Sequence, residues 1–264
     1  MKVAVCCIGK NENRYAPEFV EHYKKLGVDK IFIYDNNDTD GEHFEDVLND
    51  DIVEIIDYRN QKLCQMRSYT ECYNKHKDEY DWIIFVDFDE FLCTRYNNIK
   101  EFLQLPRFKY IDVIHINWKC MTDNEQLYYS PKSLFERFTV GKPDKHIKSI
   151  VRGGINNLSF TGNPHCPTFP FLVCTDSLGH PNISNNPFND RPDDTAMFDE
   201  ACIYHFITKS AEEFAYKMMR GYPDQILKKS SMIDHIHDYF FNVNTYSKEK
   251  EDIIMKIYKD NNIM

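Results

Sequence analysis

The feature that most constrains the fold is an apolar run that ends in three carboxylates. Residues 82–86 are continuously apolar, and Asp87, Asp89 and Glu90 follow them. Such a run is typical of a strand that is buried on both faces of a parallel sheet. Ligands of open α/β sheets bind at the carboxyl ends of the strands, so we expect these carboxylates at a binding edge. Carboxylates two residues apart there can share a divalent cation, and the cation can hold a diphosphate.

Composition narrows the possible functions. The net charge of −10 opposes binding to nucleic acid, and the 42% hydrophobic content is ample for a core. The nine cysteines show no zinc spacing, and several fall inside apolar runs, which favours reduced, buried thiols in a cytosolic protein. No segment reaches the length of a membrane span. We therefore expect a cytoplasmic protein.

Strand and helix patterns alternate through the first half of the chain. Strands are predicted at Val3–Ile8, Ile31–Tyr34, Ile52–Ile56 and Trp82–Val86, with helical spacing between them. This order predicts a doubly wound, mostly parallel α/β sheet. The second half is predicted to be rich in loops, with short strands that include Leu134–Val140 and Ala201–Ile207. Helices are predicted there at Ala211–Met219 and Tyr246–Tyr258.

Polar side chains follow several of these strands. Asn11 and Glu12 come after the first strand, and Asp35 opens an Asx-rich loop after the second. Gln65 begins the helix before the carboxylate strand, where it can face a base or a sugar. Ordinary loop or helix polarity is the alternative explanation for each of them.

A second polar group follows the strand near residue 201. An imidazole such as His205 can complete a carboxylate metal site, and Lys209 at a helix start favours a phosphate. A structural histidine is the alternative for His205. The chain has no GxGxxG, Walker or GxSxG sequence, which argues against the commonest dehydrogenases, nucleotide triphosphatases and hydrolases.

Taken in order, these residues resemble the GT-A glycosyltransferases of the family 2 / family 92 type, including bacterial "glycosyl transferase family 2" proteins with a DxDEF motif. The matching pieces span about residues 3 to 221. They include Lys10-Asn11-Glu12, Asp35-Asn36-Asn37-Asp38, Asp87-Phe88-Asp89-Glu90-Phe91, Asn117-Trp118 and His205-Phe206-Ile207-Thr208-Lys209-Ser210.

The resemblance implies a GT-A (Rossmann-like) fold, a nucleotide-diphosphate sugar donor and a divalent metal, Mn²⁺ or Mg²⁺. Asp87 and Asp89 are the implied metal ligands, and His205 joins them by analogy with other GT-A enzymes. Asn11, Glu12 and Asp35 are expected near the nucleotide, together with Gln65. Lys148 or Lys209 is expected to add positive charge at the leaving diphosphate.

The catalytic base is also assigned through the resemblance. Family members carry a Gly-Asp-Asn-like segment after the tryptophan, where this chain has Thr122-Asp123-Asn124. The threonine departs from the pattern, but the carboxylate is kept, so Asp123 is the predicted base. Glu136, Asp176 and Asp199 are its rivals.

We therefore predict a metal-dependent, inverting glycosyltransferase. It would move a sugar from a nucleotide-diphosphate donor, with a UDP-sugar favoured, to a glycan or lipid-linked acceptor. The expected pathway is cell-envelope polysaccharide, lipopolysaccharide or capsule synthesis, with peripheral association at the inner face of the membrane. The alternatives are a sugar-1-phosphate nucleotidyltransferase, which normally needs a Gly-rich loop, and a non-enzymatic calcium-dependent carbohydrate-binding protein.

The expected organisation is a single GT-A catalytic domain at residues 1–245 with a C-terminal helical extension at 222–264. Within the domain, 1–118 is the predicted nucleotide-sugar-binding half and 119–221 the acceptor half. The Asn- and Asp-rich segment 175–200 is predicted to be a mobile flap over the donor.

Overall fold

The computed structural model describes residues 1–168, 170–182, 186–189, 195–221 and 232–262. Residues 183–185 and 190–194 of the predicted flap, and parts of the predicted C-terminal extension, lie outside the described residues. In the part of the chain that is described, no helix combines the length and the apolar character needed to cross a membrane.

The four strands predicted in the first half are present and parallel. They are β1 (Val3–Gly9), β2 (Lys30–Asp35), β3 (Val53–Asp57) and β4 (Trp82–Phe85). β1 pairs with β2 on one side and with β4 on the other, and β2 pairs with β3. Parallel neighbours require crossover connections, which here contain the helices α1 (Ala16–Lys25) and α2 (Gln65–His76).

Both faces of β1 are buried, which confirms the doubly wound arrangement. Val3, Val5 and Cys7 belong to one apolar cluster, together with residues of α1. The intervening residues 4, 6 and 8 belong to a second cluster, together with residues of α2. A strand covered on both faces must be apolar at every position, which explains why the sequence shows continuous runs and no alternation.

The second half adds antiparallel pairs to the sheet. Its strands are β5 (Glu90–Thr94), β6 (Val113–Met121), β7 (Gly141–Arg152), β8 (Cys174–Thr175), β9 (Pro181–Asn182) and β10 (Ala201–His205). The main strand order is β3-β2-β1-β4-β7-β6-β10-β5. β7 runs antiparallel between β4 and β6, whereas β10 is parallel to β6 and antiparallel to β5.

The remaining helical segments are mostly short. They are Phe44–Asp46 and Pro106–Phe108 (3-10 turns), α3 (Ile99–Leu103), α4 (Leu134–Arg137), α5 (Thr195–Glu200), α6 (Ala211–Arg220), α7 (Met232–His235), a π-helical turn at Ile236–Phe240, α8 (Phe241–Val243) and α9 (Lys248–Asp260). α6 packs against α9 through a separate apolar cluster that includes Phe214, Met218, Ile254 and Tyr258.

The prediction of a strand at Leu134–Val140 is wrong. The segment begins with the helical turn α4, and Ser133 and Glu136 form a capping box at its start. The Ser133 side chain accepts from the Glu136 main-chain N–H at 3.2 Å, and the Glu136 carboxylate accepts from the Ser133 N–H at 3.1 Å. Two reciprocal bonds at a helix start outweigh the apolar run that suggested a strand.

Candidate active site

A tight turn follows β4 and sets the position of the carboxylates. The Glu90 main-chain N–H donates to the Asp87 carbonyl at 3.0 Å, and the Asp87 N–H donates to Glu90 Oε2 at 2.8 Å. The chain then reverses into β5, a strand that the sequence patterns did not predict. Burial raises the pKa of Glu90 well above its ordinary value, an effect that the nearby Lys148 ammonium opposes. The turn therefore presents Asp87 and Asp89 beside the fully buried side chain of Glu90.

Asp87 is held by three donors. Lys148 Nζ donates to Oδ2 at 2.8 Å, and Oδ1 accepts from Gln65 Nε2 at 2.5 Å and from Tyr69 OH at 3.0 Å. The Lys148 side chain is only 1% exposed and also lies 3.5 Å from Glu90 Oε2. Burial alone would raise the pKa of Asp87, but the Lys148 ammonium outweighs this and lowers it. Two residues predicted to contact the donor, Gln65 and Lys148, thus converge on this aspartate.

Asp89 is buried beside a lysine and a histidine. Lys217 Nζ donates to Oδ2 at 2.6 Å, and His205 Nε2 lies 3.6 Å from Oδ1. Burial would raise the pKa of Asp89, yet Lys217 and His205 together hold it well below its usual value. Within the described residues, His205 Nδ1 and Glu90 Oε1 are buried without a hydrogen-bond partner and stand 4.0 Å apart. A cluster with unsatisfied polar atoms is unusual and is typical of a functional site.

The three predicted metal ligands fit a cation only in part. Asp89 Oδ1 and His205 Nε2 are close enough to contact one ion, and a carboxylate with an imidazole suits Mn²⁺. Asp87 does not join them in this arrangement, because the ligand atoms of the three residues do not all lie within 4.8 Å of one another. Asp89 and His205 therefore fit a divalent cation, while the place of Asp87 in such a site stays a prediction.

A different group of possible ligands comes together at the end of β2. Asp35, His43 and Glu45 place ligand atoms within 4.8 Å of one another. Arg59 Nη2 already lies 2.8 Å from Asp35 Oδ2 and 3.1 Å from Glu45 Oε2. The predicted nucleotide contact Asp35 is thus fully buried and neutralised by an arginine, at the same sheet edge as Gly9.

A groove of about 780 Å³ opens between the loop after β1 and helix α6. Its walls include Lys10, Asn11, Glu12, Arg14, Tyr15, Asp38, Tyr129, Lys209, Glu212, Lys217 and Arg220. The volume lies in the range of small-molecule sites. Since Lys217 lines the groove and also binds Asp89, this one side chain joins the groove to the carboxylate turn.

Three residues predicted to contact the donor line this groove. Asn11 has a left-handed backbone (φ 54°), and its N–H donates to the Asn37 side chain at 2.7 Å. Glu12 is buried and pairs with Arg220 at 2.5 Å. Lys209 is also left-handed (φ 53°) and is buried, with its ammonium 4.5 Å from the centre of the Tyr15 ring.

The ammonium of Lys209 lacks a close counter-ion among the described residues. Among the described residues, no carboxylate lies within ion-pair distance of it, although the groove contains several acids. Burial lowers the pKa of Lys209, an effect that the more distant charges of Glu12 and Asp89 oppose. A buried cation without a close partner at the wall of a groove favours an anionic ligand.

The predicted base Asp123 lies in a different setting. It is buried just after β6, which ends at Met121, and its Oδ2 is 2.7 Å from Lys250 Nζ on α9. Its main-chain N–H donates to the Asn244 side chain at 2.7 Å. These contacts join β6 to the C-terminal helices. The catalytic role of Asp123 stays a prediction.

Sequence reasoning gave no role to several residues that the fold brings to the site. Lys217 and Arg220 stand three residues apart on α6, a spacing that places both side chains on one helix face. Asp144 and His146 stand two residues apart on β7, a spacing that would place both on one face of a regular strand. The spacing of these residues was therefore the only sign in the sequence that each pair shares a face. It could not show which residues of other elements contact those faces.

The comparison with known families shows the family to which this chain belongs. The sequence model of glycosyltransferase family 92 matches residues 2–169, a region that contains the carboxylate turn and Lys148. The chain belongs to glycosyltransferase family 92. This confirms the resemblance drawn from the motifs.

Plant members of family 92 are among the similar proteins. A family 92 protein of Arabidopsis thaliana is 28% identical over 185 residues, which cover 62% of this chain and 31% of that protein. A family 92 protein of Oryza sativa subsp. japonica is 31% identical over 96 residues, which cover 34% of this chain and 16% of that protein. The chain thus spans less than a third of the length of these curated relatives.

A solved structure titled S. aureus TarS 1-349 is similar to this family 92 chain with a TM-score of 0.38 and 13% identity. The likeness covers 98% of this chain and 72% of that one. It is too weak to bear on function.

Proposed function

We propose that this family 92 chain transfers a sugar from a nucleotide-diphosphate donor, with a UDP-sugar favoured, to a hydroxyl of a glycan or lipid-linked acceptor. One observation carries the proposal: Lys217 lines the groove and binds Asp89, so the groove is continuous with the carboxylate turn at the end of β4. In open α/β sheets this edge is where ligands bind.

The groove offers cations for the two phosphates of such a donor. Lys209 has no described counter-ion, and Lys217 and Arg220 stand on the same wall. As the bond between the anomeric carbon and the diphosphate breaks, negative charge grows on the leaving oxygen. Ammonium and guanidinium groups fixed near that oxygen stabilise the charge without having to reorganise. The acceptor oxygen attacks from the opposite face, which gives the inverting outcome.

A divalent cation belongs to the proposal as well. Asp89 and His205 would hold Mn²⁺ or Mg²⁺, and Asp87 is the third predicted ligand. When bound, the cation supplies further neutralisation of the leaving diphosphate. In this chain the same two aspartates are neutralised by Lys148 and Lys217, so the protein itself already offers positive charge at the turn.

The cellular role follows only from the family resemblance. We propose that the acceptor is part of a cell-envelope polysaccharide, lipopolysaccharide or capsule. The enzyme would then work in the cytoplasm at the inner face of the membrane. A lipid-linked acceptor would provide the membrane contact.

The test is thermal stability against UDP-, GDP-, CMP- and dTDP-sugars, each with and without Mn²⁺. A ligand at 100 times its Kd adds about 2.7 kcal/mol to the free energy of unfolding, which is visible as a shift in Tm. We expect a shift for one nucleotide class that grows with Mn²⁺ and falls with EDTA. Stabilisation by free sugars or Ca²⁺ alone, with no response to any nucleotide sugar, would refute the proposal in favour of a carbohydrate-binding protein. Consumption of a sugar-1-phosphate and a nucleoside triphosphate would indicate the nucleotidyltransferase instead.

A further inference from the structure

A β-bulge lies where β7 passes Trp118 on β6. The pairing between the two strands shifts between Asn117 and Lys119, so that residues 144–146 of β7 stand opposite Trp118 alone. The Asn117 side chain donates to the carbonyl oxygens of the first two bulged residues at 3.1 and 3.3 Å, which holds the bulge in shape. Bulges re-aim side chains and occur often beside active sites.

The bulge carries a carboxylate–imidazole pair. Asp144 Oδ1 lies 2.6 Å from His146 Nδ1 and accepts from the His146 main-chain N–H at 2.8 Å. Because an ionised carboxylate only accepts hydrogen bonds, Nδ1 carries the proton, and the lone pair of the neutral ring is on Nε2. The His146 side chain is 36% exposed, and Nε2 has no hydrogen-bond partner among the described residues.

Aromatic rings hold this imidazole near the carboxylate turn. Trp118 stacks on His146 with 4.9 Å between ring centres, and Phe188 packs against it edge-on at 4.7 Å. Trp118 also contacts the ring of His205 at 4.2 Å, and His205 Nε2 is 3.6 Å from Asp89 Oδ1. One indole ring therefore separates the accessible imidazole from His205 and Asp89, the residues proposed to hold the cation.

We propose that His146 is the general base of the transfer and that Asp144 is its positioning residue. The inference rests on the proposed function. Nε2 takes the proton of the acceptor hydroxyl while the acceptor oxygen forms its bond to the anomeric carbon. The bond from that carbon to the diphosphate oxygen breaks, and the nucleoside diphosphate leaves with the electron pair. Asp144 stabilises the imidazolium that forms, as an orienting carboxylate does beside other catalytic histidines.

This assignment differs from the base predicted from the sequence. Asp123 is 1% exposed, and its Oδ2 is held by Lys250 at 2.7 Å. A buried oxygen beside an ammonium does not suit a base that must reach an acceptor hydroxyl. The His146 side chain, in contrast, is 36% exposed, and Asp144 stands beside the ring to stabilise the imidazolium.

Chemical rescue tests the role in catalysis. The donor is the nucleotide sugar that stabilises the protein, and the acceptor probes are 4-nitrophenyl glycosides of the common hexoses. His146→Ala should lower kcat for transfer by about 10² to 10⁴-fold, leave donor binding unchanged and regain activity with added imidazole. His165→Ala is the matched control, because His165 also contacts Trp118 but its Nδ1 lies 2.9 Å from the Ile147 carbonyl. That control should keep its rate and show no response to imidazole.

A second measurement needs neither donor nor acceptor, so it separates this inference from the proposed function. Long-range ¹H–¹⁵N spectra of the histidine rings, assigned with the His146→Gln variant, should show His146 with the proton on Nδ1. Asp144→Asn should weaken that preference. A His146 ring with its proton on Nε2 would overturn the inference, even in an active enzyme. Full activity of folded His146→Ala would overturn it as well. Loss of transfer in folded Asp123→Asn would then indicate Asp123 as the base.

Discussion

Lys217 Nζ lies 2.6 Å from Asp89 Oδ2, although 128 residues separate the two in the chain. The same ammonium donates to the Ile207 carbonyl at 2.8 Å, so it is fixed by two contacts at the groove wall. Asp89 is thereby neutralised before any ligand binds. A cation that binds Asp89 must therefore share it with Lys217, and a diphosphate that binds Lys217 must share it with Asp89.

The first prediction concerns the charge of Asp89. Asp89→Asn keeps the shape of the side chain but removes the anion that a divalent cation needs, so transfer should fall by about 100-fold or more. The gain in Tm that Mn²⁺ gives with the donor should disappear. Initial rates and thermal melts with Mn²⁺ and with EDTA measure both effects. Asp78→Asn, at an exposed carboxylate outside the site, is the control. An Asp89→Asn protein that responds to Mn²⁺ like the wild type would contradict the metal role.

The second prediction concerns the buried ammonium of Lys209. Replacing a buried charge that lacks a close partner with an apolar side chain of similar length removes a desolvation cost. Lys209→Met should therefore raise the free energy of unfolding by roughly 1–2 kcal/mol, measured in urea. Loss of a charged hydrogen bond to the diphosphate should weaken donor binding by about 10 to 100-fold in calorimetry.

The control for this prediction is Lys10→Met. Lys10 lines the same groove, but its ammonium is paired with Asp38 at 2.7 Å. Its replacement should leave stability nearly unchanged, because surface pairs contribute little. If Lys209→Met destabilised the protein and bound the donor normally, Lys209 would be a structural residue and not a phosphate ligand.

The third prediction concerns Glu213, which binds Arg137, Ser210 and Tyr15 at the start of α6. Burial alone would raise the pKa of Glu213, but the hydrogen bond from Arg137, followed by those from Ser210 and Tyr15, lowers it to about 2. The folded pKa lies below the unfolded value, so the stabilisation is complete above about pH 4.5 and is lost as the pH falls towards 2. The lowered pKa contributes roughly 3 kcal/mol to the free energy of unfolding at neutral pH.

Urea unfolding between pH 7 and pH 3 measures this effect. The free energy of unfolding of the wild type should fall steeply below pH 4.5. That of Glu213→Gln should be lower at pH 7 and should change less over the same range. Glu212→Gln is a neighbouring control, and its curve should run parallel to that of the wild type. If the free energy of unfolding fell equally steeply with pH in the wild type and in Glu213→Gln, the lowered pKa of Glu213 would not be the cause of the acid sensitivity.

Much of the first half of the fold could be predicted from the sequence. The strands at Val3–Gly9 and Trp82–Phe85 are continuous apolar runs, and such runs report burial on both faces wherever they occur. The carboxylates after β4 could be placed at a binding edge for the same reason. The strand β5 was not predicted, because it depends on the turn at Asp87 and on pairing with β10, which is over one hundred residues away.

The sequence by itself determined the parallel first half of the sheet and the place of Asp87 and Asp89 at its edge. These follow from local apolar patterns, which a short segment carries whatever its neighbours are. Only the tertiary structure decided that Lys217 and Lys148 neutralise the aspartates, that Lys250 holds Asp123, and that a bulge sets His146 against Trp118. Charge pairs and ring stacking depend on distances between segments that are remote in the chain, and spacing along one segment does not fix those distances.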